Sequence, residues 1–310
     1  GRVCGARVRD VLEGDTFDLM ARVVVNATGP GCDVVRRMEN PQAAVLVEPS
    51  RGTHLALDAS WAPLGEGLLI PKTADGRVLF LLPWQGCTIA GTTDIAATPT
   101  DHPEPSDAEV DYLLGQLALW LDPAPDRNAV RARWAGLRPL IAADATSTAS
   151  IVREHQIDIG PKGLVSVAGG KWTTYRLMAE ETVDQVIASA NLKPHSGCRT
   201  RSLALLGAAG FHAELASELA THFSIEADIA QHLAHAYGGR ARDVLNAAGA
   251  AGKHRLAAGH PYIEAEVAWA REHEMACTAD DVLARRTRLA FIDTAAAQAA
   301  KVRVEALLAG

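Results

Sequence analysis

Two kinds of hydrophobic pattern divide the 310-residue chain. Short apolar runs separated by turn residues occupy its first part, whereas the part after Arg201 is Ala-rich with apolar residues three or four positions apart. The first pattern is typical of β-strands, and the second is typical of helices that bury one face. The chain is therefore predicted to contain sheet-forming sequence followed by a helical region that begins near residue 197.

Two apolar runs in the first part predict strands that are buried on both faces. The run 21–26 is rich in valine and is followed by Gly29-Pro30, and the run 164–168 is followed by Gly169-Gly170. Continuous apolar runs of this kind are typical of parallel sheets. Between them, an antiparallel sheet is predicted from shorter runs at 43–47, 53–57, 68–70, 78–82 and 88–92.

Turn and capping residues predict where further elements begin. Asp75-Gly76 lies between two apolar runs and predicts a hairpin, because glycine accepts the positive φ of such a turn. Ser106 and Glu109 have the spacing of a capping box before a helix whose apolar positions continue to Leu121. Thr278 and Asp281 predict a similar start for a helix through Leu289. A further strand is expected at 150–158 and a helix at 174–190.

Composition and charge narrow the classes of function. Hydrophobic residues make up 48% and charged residues 22%, which is ordinary for a globular protein. The net charge of −7 argues against broad nucleic-acid binding, which depends on neutralising phosphates. Five scattered cysteines without a CxxC motif favour reduced thiols over a disulfide framework or a zinc site. No apolar run has the length needed to span a bilayer.

The segment 169–176, Gly-Gly-Lys-Trp-Thr-Thr-Tyr-Arg, is the strongest candidate site. Two glycines after a strand allow a ligand to approach the backbone. The helix N-terminus that follows, together with Lys171, favours an anion or an electron-rich ring. A P-loop is excluded, because Val165 and Trp172 stand where that motif needs Gly and Ser or Thr. The alternative is a plain strand-to-helix turn with a surface lysine.

Arg138 and His54 are the next candidates. Arg138 lies between Leu137 and Pro139, so its guanidinium is expected to be buried and to need a carboxylate or phosphate partner. A structural ion pair is the alternative. His54 can accept or donate a proton near neutral pH, and its alternative is a half-buried strand residue. Arg153, beside another predicted strand, says little alone.

Three other polar groups are interpreted as structural. A solvated face is expected for Arg127, Arg131 and Arg133, and a turn for 91–94. His232 and His235 lie three residues apart, but no Glu accompanies them at a metal-motif spacing, which argues against a metal site.

Taken together and in this order, the motifs resemble those of FAD-dependent, quinone-linked glycerol-3-phosphate dehydrogenases. Each motif alone is weak, but nine in the same order are specific, and they cover nearly the whole chain. The matching stretches are 25–30, 51–54, 82–84, 91–94, 134–140, 153–155, 168–176, 261–266 and 281–293.

The resemblance implies oxidation of sn-glycerol 3-phosphate at C2 to dihydroxyacetone phosphate, with hydride transfer to FAD and electrons passed to quinone. It implies that Arg138, Arg153 and Lys171 bind the substrate phosphate. His54 is the candidate base, and either Arg138 or Lys171 could instead stabilise the developing alkoxide. The residues implied to bind the cofactor are Asn26, Ala27, Thr28, Gly29, Gly169, Gly170, Lys171, Trp172 and Thr173.

The implied fold class is α/β plus α. It consists of an incomplete Rossmann-like FAD-binding domain, an inserted antiparallel-sheet substrate domain and an all-helical C-terminal domain. The expected bounds are 1–40 and 150–190 for the FAD-binding parts, 41–149 for the substrate domain and 197–310 for the helical domain. The chain has no GxGxxG motif, so we expect it to be the later part of a longer enzyme and to be of uncertain activity alone.

Two positions depart from the family pattern. Gly31 stands where an aromatic residue is usual, and Val152 stands where Ser is usual before Arg153. Two other functions stay open: a non-catalytic module that binds a sugar phosphate or a partner, and a related FAD-dependent amino or hydroxy acid oxidase. The implied location is cytoplasmic, with peripheral contact at the cytoplasmic face of the inner membrane. The oligomeric state, including a homodimer, stays open.

Overall fold

The computed structural model describes residues 1–62, 65–73, 76–142, 155–249 and 251–310. The β-strands of these residues are β1 Gly5–Arg9, β2 Thr16–Met20, β3 Val25–Asn26, β4 Val47–Asp58, β5 Leu68–Ile70, β6 Leu79–Trp84, β7 Cys87–Gly91, β8 Ile95–Ala96, β9 Ala132–Ile141, β10 His155–Ile159 and β11 Val165–Gly169. The α-helices are α1 Cys32–Glu39, α2 Asp107–Leu117, α3 Tyr175–Ser189, α4 Leu215–Phe223, α5 Ala227–Tyr237, α6 Ala241–Ala248, α7 Glu264–His273, α8 Leu289–Ile292 and α9 Thr294–Ala309.

The chain forms two compact units. The first, called here the turn unit, consists of Gly1–Thr53, Thr92–Ser106 and Ala135–Ser202. The second, called the helical unit, consists of His54–Gly91, Asp107–Trp134 and Leu203–Gly310. The long strands β4 and β9 each contribute residues to both units.

A three-stranded sheet organises the turn unit. Its order is β10-β11-β3, with β11 antiparallel to β10 and parallel to β3. Both parallel strands lead into helices, α1 after β3 and α3 after β11. The parallel pair confirms that the apolar runs form strands of a parallel arrangement. The expectation that both are buried on two faces is wrong for β3, because it is only two residues long and Val25 is 44% exposed.

An antiparallel sheet organises the first half of the helical unit. Strands β5, β6, β7 and β4 pair in that order, and their antiparallel pairing confirms the sheet predicted from the short apolar runs. The run 43–47 is the exception, since β4 begins only at Val47. Side chains of a strand alternate between its faces. Leu55 and Leu57 therefore pack on one face, against Leu113 and Leu117 of α2.

The opposite face of this sheet packs against the C-terminal helices. Ala56, Cys87 and Ala132 share one core with residues of α7, α8 and α9. Small side chains at these positions let the helices approach the strands closely. A second core, built around Leu219, Leu233 and other residues of α4 to α7, completes the helical unit.

Most predicted element ends lie within a residue or two of the observed ones. Helix α3 matches the predicted 174–190, and α2 begins directly after Ser106. Gly76 has the positive φ of +84° expected of the hairpin, while Asp75 lies outside the described residues. The helix predicted from Thr278 through Leu289 is wrong in its length, because the chain turns at Arg288, whose φ is +63°. Among the described residues, no helix has both the length and the apolar character needed to cross a membrane.

Candidate functional site

His54 lies on β4 in a tightly packed position. Its ring stacks on that of Trp134 in β9, with the ring centroids 4.3 Å apart and the planes at 15°. On β7, Gly91 is the register partner of His54, and a Cβ at position 91 would lie 2.4 Å from Cδ2 of the imidazole. The imidazole therefore stacks on an aromatic ring and occupies the space that a side chain at position 91 would take.

Arg138 is half-buried rather than buried, which corrects the expectation from its apolar neighbours. Its side chain is 36% exposed. The guanidinium lies over Gly52, where a Cβ would be 2.4 Å from Nη2. It donates hydrogen bonds to the Thr92 hydroxyl at 2.8 Å and to the Thr93 carbonyl at 3.2 Å. The Asp94 carboxylate lies 3.9 Å away, so a structural ion pair describes only part of its surroundings.

Two glycine turns lie side by side in the turn unit. β3 and β11 are parallel neighbours, so the turns after them emerge at the same edge of the sheet. Gly29 has a φ of +56° after β3, and Gly169 and Gly170 have φ values of +71° and +79° after β11. These conformations favour glycine. A Cβ at Gly29 would meet open space, so this part of the backbone is accessible.

Asn26 holds the first of these turns from within. The side chain is buried, and its amide donates to the Cys32 carbonyl at 3.0 Å and to the Ser166 hydroxyl at 3.2 Å. Its side-chain carbonyl accepts from the Thr28 hydroxyl at 2.8 Å. Ala27 and Thr28 are exposed. Ala27 and Thr28 are therefore the part of this predicted cofactor site that is accessible to a ligand.

The side chains that follow Gly170 are exposed to solvent. Lys171 and Thr173 are exposed. Trp172 is also 86% exposed, although tryptophan has the largest of the apolar side chains and is usually at least partly buried. Trp172 stacks with Tyr175 at the start of α3, with centroids 5.6 Å apart. Within the described parts of the chain, Lys171 forms no ion pair, so its charge is available at the helix start. A large exposed aromatic pair beside a cation is a common mark of a binding surface.

The other arginines that the sequence analysis singled out have different surroundings. Arg153 lies outside the described residues. Of the three arginines expected on a solvated face, Arg127 pairs with Asp111 at 2.7 Å and Arg133 with Asp107 at 2.6 Å. Arg131 instead pairs with Asp293 of the C-terminal helices at 2.7 Å. Its role is thus to hold β9 against those helices.

A cavity of about 230 Å³ lies elsewhere in the turn unit, beside α1 and β10. Its cation, Arg36, is already paired with Asp33 at 2.7 Å and with Asp158 at 2.9 Å. Burial alone would raise the pKa of Asp33, but hydrogen bonds from Arg36 and two backbone amides outweigh burial and lower it. With its charge neutralised by two carboxylates, this cavity is a poor anion site.

Two family models match successive parts of the chain. Residues 2–185 match the family model described as FAD dependent oxidoreductase. Residues 198–310 match the model described as the C-terminal domain of alpha-glycerophosphate oxidase. The chain belongs to the FAD-dependent oxidoreductase family.

Individual relatives agree with the resemblance inferred from the motifs. The chain is 44% identical over 316 residues to the mitochondrial glycerol-3-phosphate dehydrogenase of Homo sapiens, covering 99% of this chain and 43% of that protein. It is 43% identical to the mitochondrial enzyme of that name from Arabidopsis thaliana, covering 99% and 52%. The chain thus spans about half the length of these relatives. The structure of the FAD complex of glycerol-3-phosphate dehydrogenase from Bacillus halodurans matches with a TM-score of 0.82 and 28% identity, over 99% of this chain and 62% of that one.

The residues of this flavoprotein family member fit FAD at the glycine turns. Gly29 meets open space, and residues 171–173 after the Gly169-Gly170 turn are exposed, so a large cofactor can approach this edge of the sheet closely. The N-terminus of α3 and the exposed Lys171 add positive charge there, which suits a reduced, electron-rich flavin ring.

Three residues with clear positional roles were not predicted from the sequence. Gly52 makes room for the Arg138 guanidinium, Gly91 makes room for the His54 ring, and Trp134 stacks on that ring. All three lie in motifs that carried the resemblance, so the motif matches were the available signal. Their roles depend on contacts between strands that are distant in the sequence.

Proposed function

We propose that the protein containing this chain oxidises sn-glycerol 3-phosphate at C2 to dihydroxyacetone phosphate. The observation that carries the proposal is the fixed imidazole of His54, stacked on Trp134 and closed in by Gly91. Oxidation of an alcohol needs a group that removes the hydroxyl proton, and histidine does so near neutral pH. The similarity to glycerol-3-phosphate dehydrogenases over 99% of the chain supports the choice of substrate.

Each residue then has a defined part in the reaction. His54 accepts the C2 hydroxyl proton as the carbonyl forms. Arg138, whose fork-shaped guanidinium is partly exposed, binds the phosphate or stabilises the developing alkoxide. Lys171 adds a second positive charge at the start of α3. FAD, when bound, would supply the two-electron acceptor that the departing C2 hydride requires.

The electron acceptor of the reduced protein is proposed to be quinone, which implies peripheral contact at the cytoplasmic face of a membrane. Oxygen is the second candidate, because the C-terminal region matches a family model named for an oxidase. Turnover with a soluble quinone and without hydrogen peroxide supports the first. Equal rates of substrate loss and peroxide formation in air would support the second.

The substrate is tested with the flavoprotein expressed from the complete gene. Anaerobic addition of sn-glycerol 3-phosphate should bleach the yellow flavin absorbance, and glycerol or sn-glycerol 1-phosphate should leave it unchanged. Bleaching by glycine or a hydroxy acid, but not by sn-glycerol 3-phosphate, would contradict the proposal. It would favour the amino or hydroxy acid oxidase alternative.

A further inference from the structure

The ring of Trp134 lies against the candidate base. With centroids 4.3 Å apart and planes at 15°, the indole covers the face of the His54 imidazole. The imidazole also lies close to the backbone of Gly91 on β7, because a Cβ at that position would clash with the ring. Stacking of this kind restricts rotation about both side-chain torsions of histidine, so the position of its nitrogens follows the position of the indole.

Trp134 is in turn held by packing rather than by a hydrogen bond. Its indole nitrogen is buried, and among the residues that the structure describes it has no hydrogen-bond partner. The edge of the ring system meets Phe291 of α8 at 5.5 Å between centroids and 66° between planes. Edge-to-face is one of the two favourable arrangements of aromatic rings. The orientation of Trp134 therefore depends on α8.

The same helical segment also anchors the start of β9. Arg131 Nη2 lies 2.7 Å from the Asp293 carboxylate, and the Thr294 amide donates to the Arg131 carbonyl at 3.1 Å. Asp293 caps α9 by accepting from the Ala296 amide at 2.9 Å. Hence both ends of the segment 131–134 are tied to residues 291–294. The backbone of Trp134 and its ring are fixed by one structure.

We propose that Trp134 is a positioning residue for His54 and that Phe291, at the start of the last helices, holds Trp134 in place. The inference rests on the proposed function, since it assumes that His54 acts as the base. It gives the C-terminal helices a role in the chemistry that does not need any of their residues to touch the substrate. Small errors in the placement of a base are costly to the rate, so such a role is measurable.

A purely structural role for Trp134 predicts a different outcome. If the indole only fills space, leucine would serve nearly as well, and any loss of activity would follow the loss of stability. If it positions His54, an aromatic ring is required, and the effect disappears once His54 itself is removed. The variants Trp134→Phe and Trp134→Leu separate these cases.

The kinetic test uses the flavoprotein from the complete gene. Trp134→Leu should lower kcat roughly tenfold to a hundredfold with KM little changed, whereas Trp134→Phe should stay within about threefold of the parent. Phe291→Leu should lower kcat by less, in the same direction. In a His54→Gln background, Trp134→Leu should cause no further loss, because both changes act through one group.

A second measurement reports the stacking without relying on activity. With histidine ring carbons labelled for NMR, the His54 signal, assigned by its disappearance in His54→Gln, should be shifted upfield by the indole. The shift should persist in Trp134→Phe and disappear in Trp134→Leu. If Trp134→Leu does not fold, Phe291→Leu supplies the test, and it should move the same signal by a smaller amount.

The outcomes distinguish this inference from the function on which it rests. Losses that multiply in the double variant, or an unshifted His54 signal in the parent protein, overturn the positioning role alone. A His54→Gln variant with undiminished kcat overturns the assignment of the base and the positioning role together. Absence of any bleaching by sn-glycerol 3-phosphate in the parent protein overturns the proposed reaction itself.

Discussion

The two units present their functional residues in opposite ways. In the turn unit, the backbone at Gly29 meets open space, and Trp172, just after the Gly169-Gly170 turn, is almost fully solvent-exposed. In the helical unit, His54 is stacked on Trp134 and confined by Gly91. A surface that receives a large cofactor needs access, whereas a group that moves a proton needs fixed geometry. Glycine serves both needs, by its backbone freedom in one unit and by its missing side chain in the other.

The largest effect is expected at the packed residue that carries the proposed chemistry. His54→Gln should lower kcat by roughly a thousandfold, as loss of a general base does. The exposed His102 provides the matched control, and His102→Gln should leave kcat unchanged. Steady-state rates at equal flavin content measure both. Similar rates for the two variants would contradict the role of His54 as the base, and with it the difference drawn between the two units.

Filling the space beside His54 should have the next largest effect. Gly91→Ala places a Cβ 2.4 Å from the imidazole, so it should displace the ring and lower kcat by about a hundredfold. A Cβ at Gly115 of α2 meets nothing within 4 Å, so Gly115→Ala serves as the control and should be active. Stopped-flow flavin reduction compares the two. A fully active Gly91→Ala protein would show that His54 tolerates displacement.

Removing the half-buried cation should act mainly through the substrate. Arg138→Ala should lower kcat/KM at least tenfold, about 1.4 kcal/mol, because the phosphate or alkoxide loses a charged hydrogen bond. Arg133→Ala, which breaks a surface pair with Asp107, is the matched control and should have little effect. An unchanged kcat/KM in Arg138→Ala would exclude Arg138 from the site.

Substitutions in the glycine turns should lower the free energy of unfolding by a few kcal/mol at most. Gly170→Ala forces a φ of +79° on alanine and brings its Cβ to 2.5 Å from Met178 Sδ, for an expected loss of about 1–3 kcal/mol. Gly29→Ala has the same backbone problem but open space, and should lose about 1 kcal/mol. Urea unfolding measures both. A larger loss at Gly29 would contradict the picture of an accessible first turn.

Acid should weaken both units through one carboxylate in each. Burial alone would raise the pKa of Asp33 and Asp293, but hydrogen bonds from amides and from Arg36 or Arg131 outweigh burial and lower it. A lowered folded pKa adds stability above the ordinary aspartate value of about 3.9, and that stability is lost as pH falls through the lowered pKa. Asp33→Asn and Asp293→Asn should each flatten the decline of unfolding free energy below about pH 4. Urea titrations at several pH values test this, and an unchanged slope would contradict it.

The sequence predicted the elements better than their surroundings. Helix α3, strand β5 and the start of α2 follow from local spacing, because those patterns arise from neighbouring residues. The burial of Val25 and of Arg138 was predicted wrongly, since both depend on what the rest of the chain places beside them. An apolar neighbour in the sequence does not ensure an apolar neighbour in space.

By itself, the sequence determined the order of strands and helices, the two glycine turns and the residue types available for the chemistry. Its motifs also indicated the family, because nine motifs that are weak one by one do not occur in the same order by chance. Only the tertiary structure decided that Arg131 holds the C-terminal helices while Arg138 stays partly open, and that Trp134 stacks on His54. The reason is physical: these contacts join β4, β9 and α8, which are far apart along the chain, and local periodicity carries no information on which distant side chains meet.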